Sequence, residues 1–133
     1  MVEITVHVET EINPTESEEK VRQAVENMLG NLSIRTKPLR KASLLVAEGE
    51  GLVALEKFQN LLRRERIRSA ARPVLYEGID KRTIKFCLNK QVAFVGHISF
   101  SKEVAESPLG PITIKIDCEN PRQLIDWLAP RTL

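Results

Sequence analysis

The chain is poor in the residues that most chemistry needs. Among 133 residues there are two cysteines, two histidines and 5% aromatics. Cys87 and Cys118 do not form a short-spaced pair, so neither a zinc site nor a redox motif is suggested, and both read as reduced structural thiols. No metal and no cofactor is expected on these grounds. No window approaches the roughly 18 apolar residues of a membrane span. The amino terminus runs directly into Val2-Glu3-Ile4-Thr5-Val6-His7-Val8, without the basic and apolar regions of a secretory signal. A cytoplasmic protein with no membrane contact is therefore expected. Glu48-Gly49-Glu50-Gly51 stands where a phosphate loop would stand, but its two glutamates repel phosphate and no Gly-Lys-Ser/Thr follows. A turn with an acidic first helical turn is the better reading. Internal repeats and low-complexity tracts are also missing, and the gaps between elements are too short for a linker, which predicts a single domain over residues 1–133.

What is present is enough apolar residue, 42%, to build a core without disulfide or metal. Charge is also present, and it is unevenly placed. The net charge of +2 hides a division: residues 1–34 hold Lys20 and Arg22 against seven glutamates, whereas residues 35–90 hold fourteen Lys/Arg against six acids. Arg63, Arg64, Arg66, Arg68 and Arg72 gather around one helix end, and Lys81, Arg82, Lys85 and Lys90 follow. A polyanion is the natural partner for such a distribution.

Alternation of Val2, Ile4, Val6 and Val8 with Glu3, Thr5, His7 and Glu9 predicts a strand over 2–12 with one wet face. Thr15 and Glu18 have the spacing of a capping box for a helix running to about Leu29 and closed by Gly30. Residues 31–48 read as irregular or short-stranded, ending in the strand-like run Leu44-Leu45-Val46-Ala47. Leu52, Leu55, Phe58, Leu61 and Leu62 predict a helix over about 51–66, whose terminal arginines also suit the macrodipole. A separate short helix is expected over 68–79, with Pro73 in its first turn. Strands at 83–88, 95–101 and 112–118 and a closing helix carrying Leu124, Ile125, Trp127 and Leu128 complete the order βαβααβββα. The expected fold class is an α/β (α+β) two-layer sandwich: a mixed, largely antiparallel sheet with helices on one face.

The open face of that sheet would display Glu3, Thr5, His7, Thr83, Lys85, Cys87, His97, Ser99, Thr113, Lys115 and Asp117. It lacks the aromatics on which an RNA-recognition motif stacks bases, because Phe86 and Phe100 fall on the inward register. The same polar face would suit a wet, modest homodimer interface. His7, Cys87, His97 and Asp117 would supply nucleophile, base and orienting acid if their strands were neighbours, but solvated surface histidines are the simpler reading and no enzyme is expected.

Two motifs carry a family resemblance. They are Leu88-Asn89-Lys90-Gln91 with the following Val92-Ala93-Phe94-Val95-Gly96, and the rigid corner Ser107-Pro108-Leu109-Gly110-Pro111-Ile112. With these the chain resembles an archaeal family catalogued as uncharacterised protein family 0201, whose members are described as predicted RNA-binding exosome subunits. The resemblance implies a fold similar to the ribosomal protein that binds 5S RNA, and a role in RNA processing; it supplies no catalytic residue. Asn89, Gly96 and Ser107, Pro108, Leu109, Gly110 and Pro111 read as structural, while Lys90 and Gln91 are candidate contacts to phosphate and to sugar or base. Phosphate neutralisation by the arginine cluster is the expected mechanism, against the simpler reading that these arginines are solvated and pair with glutamates such as Glu65. The alternative to RNA is a protein-interaction subunit of an exosome-like assembly with no direct RNA contact.

Overall fold

Alternation governs the first strand, β1 (Ile4–Ile12), in the computed structural model, which describes residues 3–102 and 109–131. Ile4, Val6, Val8 and Ile12 are buried, while Thr5, Glu9 and Glu11 are exposed. The chain continues through α1 (Glu18–Met28), β2 (Ser33–Pro38), β3 (Ser43–Glu50), a 3-10 turn (Leu52–Ala54), α2 (Glu56–Arg64) and α3 (Arg68–Glu77). There follow β4 (Ile79–Asp80), β5 (Thr83–Asn89), α4 (Lys90–Phe94), β6 (Phe100–Ser101), β7 (Pro111–Cys118) and α5 (Pro121–Leu128). The strands form one sheet in the order β2-β3-β1-β7-β5-β4, with β6 also on β5, and every pair among the described residues is antiparallel.

The core lies between the sheet and a single helical layer. Val6, Val8, Leu45, Ala47, Ile84, Phe86, Leu88, Ile112, Ile114 and Ile116 point into it from the strands, and Val21, Val25, Met28, Phe58, Leu62, Leu75, Leu124 and Leu128 meet them from the helices. Phe58 of α2 stacks on Phe86 of β5 with ring centroids 5.4 Å apart, and Phe100 meets Phe86 edge-on at 6.0 Å. These contacts seat α2 over β5, and each fully buried aromatic contributes about 1.5–3 kcal/mol. Gly78 ends α3 where β5 passes closest: a Cβ there would collide with the backbone carbonyl of Lys85.

Several expected elements are displaced. The helix α1 begins at Glu18, not at Thr15, because Asn13 and Glu16 form a turn of their own, with the Glu16 carboxylate accepting from Asn13 N–H at 3.0 Å and from its side-chain amide at 2.8 Å. Ser17 becomes the N-cap. The stretch read as irregular or short-stranded contains the short strand β2, whose bounds periodicity could not set because nearly all of it is exposed. The strand expected over 95–101 shrinks to β6, since Asn89 caps a short helix instead, its side-chain oxygen accepting from Val92 N–H at 2.9 Å. Glu48, Gly49 and Glu50 belong to β3, and Gly51 alone turns the chain. Pro73 is the exposed sixth residue of α3, not in its first turn, and having no N–H it leaves out the bond that the helix would otherwise make to the Ser69 carbonyl.

Candidate nucleic-acid interface

The α2–α3 corner is built by a helix ending that glycine usually supplies. Arg66 N–H donates to the Arg63 carbonyl and Ile67 N–H to the Leu62 carbonyl, both at 3.1 Å, which is a Schellman ending with Arg66 in the left-handed position at φ 57°. Ile67 packs against the core and fixes the turn. A side chain with a Cβ is strained there by about 1 kcal/mol, so the sequence holds an arginine where glycine would be cheaper. Arg63, Arg64 and Arg66 are exposed and Arg68 is half-buried. Glu65 does not neutralise them: its carboxylate accepts from Ile98 N–H at 3.2 Å and lies 3.1 Å from the His97 ring. Among the described residues none of Arg63, Arg64, Arg66 and Arg68 makes an ion pair. Arg63 donates to the Asn60 amide oxygen at 2.9 Å, and Arg64 borders a cleft of about 360 Å³ with Asn27, Lys57, Asn60, Leu61 and Gly96.

The other basic candidates part company with this corner. Arg72 is spent inside the protein, donating to Asp126 at 2.8 Å and to the Ala129 carbonyl at 2.9 Å while it lies over the Tyr76 ring. Lys81 and Arg82 form the exposed β4–β5 turn, Lys81 at φ 56° and Arg82 4.0 Å from Asp117. Lys85 is on the open sheet face opposite Lys115. Lys90 is the correction: it is 3% exposed, and its ammonium donates to the Glu11 carbonyl at 2.6 Å, the Leu109 carbonyl at 2.8 Å and Glu16 at 3.0 Å. Three donors meet three acceptors, which leaves none for a phosphate. Burial raises the Glu16 carboxyl, but the Asn13 backbone and side-chain donors and Lys90 outweigh it and hold the group below the ordinary carboxylate range. Gln91 is exposed next to this buried pair.

The motif residues read as structural do structural work where they are described. Asn89 caps α4, Gly96 and Gly110 occupy positive φ of 88° and 80°, and the Leu109 carbonyl accepts from both Asn13 and Lys90. Pro111 opens β7, and its carbonyl accepts the Thr10 hydroxyl at 3.1 Å. Ser107 and Pro108 lie outside the described residues.

On the open face, Thr5, His7, Thr83, Lys85, Cys87, Thr113, Lys115 and Asp117 share the side opposite the core, as expected. Glu9, Glu11, Glu48 and Glu50 join them and make the β3–β1 part of the face acidic, beside Lys115 and Lys85 on β7 and β5. His7 sits 3.1 Å from Glu9 and 3.6 Å from Glu48. The imagined nucleophile and base are not assembled: His97 is off the sheet beside Glu65, and the buried Cys87 thiol has Thr113 as its partner at 3.6 Å. Ser99 likewise leaves the face, its carbonyl taking the Asn89 N–H at 2.8 Å. Burial pushes the other thiol, Cys118, above its ordinary pKa. Among the described residues no helix is long and apolar enough to cross a membrane, and no cluster of three His, Cys, Asp or Glu is placed to hold a metal.

An antiparallel open sheet under one helical layer, with an exposed arginine corner and a polar open face, defines the class. A family model described as RNA binding matches residues 5–118, most of the chain. The UPF0201 protein of Sulfurisphaera tokodaii is 44% identical over 125 residues, covering 94% of this chain and 86% of that protein. That of Pyrobaculum islandicum is 46% identical over 123 residues, covering 92% and 86%. The crystal structure of a UPF0201 protein from Methanococcus jannaschii superposes with a TM-score of 0.85 at 29% identity, covering 95% of this chain and 99% of that one. The chain belongs to the UPF0201 family.

Proposed function

We propose that the protein is a non-catalytic RNA-binding domain of RNA processing that holds structured RNA through phosphate contacts at the α2–α3 corner. The observation that carries this reading is the set of exposed arginines 63, 64 and 66 with no carboxylate partner among the described residues, Glu65 being committed to His97 and Ile98. Unpaired guanidinium forks suit phosphate oxygens, and neutralising phosphates releases counterions. The description of the family model supports the same partner. Structured RNA is favoured over base-by-base reading because the open face offers no aromatic platform: Phe86 and Phe58 are buried in the core.

A labelled RNA duplex of about 20 base pairs, titrated at roughly 50 and 200 mM salt, tests the proposal. Wild-type binding weakens across that interval, and Arg63→Ala/Arg64→Ala weakens it further while lowering the salt slope by about one per lost contact. Unchanged affinity and slope in the double variant would remove the corner from the mechanism. One observation favours a protein partner instead: Phe94 and Val95 are 40% and 65% exposed at the rim of a cleft of about 490 Å³. If the wild type ignores RNA even at low salt, that patch becomes the leading surface and Val95→Glu the variant to make.

A further inference from the structure

The segment from Arg35 to Lys41, Arg-Thr-Lys-Pro-Leu-Arg-Lys, holds four cations and no acid. It forms β2 and the turn into β3, and all seven residues are exposed. The turn is a fixed one, closed by Leu39 N–H donating to the Ala42 carbonyl at 2.8 Å. Arg35 has a distant, solvated neighbour in Glu48 at 3.9 Å, but Lys37, Arg40 and Lys41 make no ion pair among the described residues. Edge protection accounts for part of this, since β2 is the outer strand and lysine and proline guard an edge against pairing with another chain. It does not account for Arg40 and Lys41, which lie in the turn beyond the last paired residues, Pro38 and Ser43, where no edge remains to guard.

Register then places this turn relative to the arginine corner. Pro38 pairs with Ser43, Ser43 with Ile12, and Pro111 with Asn89, so the β2–β3 turn, the end of β1, the start of β7 and the end of β5 share one end of the sheet. The α2–α3 corner is tied to that same end, because Glu65 binds Ile98 and the adjacent Ser99 carbonyl takes the Asn89 N–H at 2.8 Å. The β4–β5 turn with Lys81 and Arg82 is at the opposite end. The hairpin stands over β2 and α2 stands over β5, four strand spacings apart, or about 20 Å. At this end the open face of β1 carries Glu9 and Glu11, which repel a polyanion from that part of the sheet surface.

We infer that the β2–β3 hairpin is a second RNA-contacting arm, holding with the α2–α3 corner two stretches of one RNA backbone laid across this end of the sheet. The inference rests on the RNA-binding reading above. Arg40 and Lys41 contact phosphates, and Leu39, 44% exposed at the tip, is the apolar residue placed to enter a groove between them.

The test uses the full chain and the same RNA duplex of about 20 base pairs. Arg40→Ala/Lys41→Ala lowers affinity at roughly 50 mM salt by about tenfold and reduces the salt slope by about two, with an unchanged thermal melt because both residues are exposed. Lys41→Ala costs more than Arg122→Ala, which removes a like charge near the start of α5 at the opposite end and measures the plain effect of net charge. Wild-type affinity and slope in the hairpin double variant, alongside weakened binding in Arg63→Ala/Arg64→Ala, would overturn the arm and leave the RNA reading standing. A loss no larger than that of Arg122→Ala overturns it too. Absence of wild-type binding at low salt overturns both.

Discussion

Arg66 and Lys90 carry the same charge and have opposite surroundings. Arg66 is exposed, without an ion pair among the described residues and strained in its backbone. Lys90 is buried, its ammonium fully saturated by two carbonyls and a carboxylate. A basic residue tied down in this way welds the fold: Lys90 joins the turn after β1, the segment before β7 and the start of α4. A basic residue left open at a local cost in stability is the one available to a ligand. The same contrast sorts Arg72, clamped between α3 and α5, from Arg63 and Arg64 one helix earlier.

Removing Lys90 breaks the comparison most severely. Lys90→Met leaves the Glu16 carboxylate buried without its cation and two carbonyls without a donor, a loss of about 3–5 kcal/mol. Urea unfolding reads it as a large fall in the midpoint, while the protein that remains folded binds RNA as the wild type does. A variant of wild-type stability with weakened RNA binding would put Lys90 back on the surface.

Arg66→Gly sharpens the other half. Relief of the left-handed strain raises stability by about 1 kcal/mol, and the lost guanidinium lowers RNA affinity, so the two properties move in opposite directions. Arg66→Asn, which also tolerates positive φ, repeats the loss of affinity with a smaller gain in stability. If the glycine variant gained stability and kept its affinity, the strain would serve something other than RNA.

How much of this was legible depended on sequence distance. The alternation of β1 and β7 and the capped, amphipathic α5 are local patterns, and they appeared where expected. So did the exposure of Arg63, Arg64 and Arg66 at a helix end. Lys90 was misread because its acceptors, Glu11 and Glu16, lie 79 and 74 residues away, and nothing within a helical turn reveals a partner at that separation. The β2–β3 hairpin is only partly legible for the converse reason: in an edge strand where Ile34 alone packs against the core, apolar alternation is too weak to set its bounds, and its four cations fall within the basic third without marking one element. The short α4 was hidden by Asn89, which reads equally as a turn residue and as a cap.

The smallest effect is the pH dependence of the Glu16–Lys90 weld. Glu16 is held below the ordinary carboxylate range in the folded protein, so the unfolded chain takes up the proton more readily and protonation opposes folding. The contribution is therefore complete above the ordinary carboxylate pKa and is lost as the pH falls through the lowered folded value. Urea midpoints measured from about pH 6 down to about pH 3 fall for the wild type, and part of that fall is absent in Glu16→Gln, whose amide does not titrate. Because Lys90 is one of the groups that lowers the Glu16 pKa, Lys90→Met flattens the same limb, although Asn13 still donates to the carboxylate and preserves some of it. Identical acid limbs in all three proteins would mean that the pair contributes nothing dependent on pH, and that the weld rests on the two carbonyl hydrogen bonds of Lys90 alone.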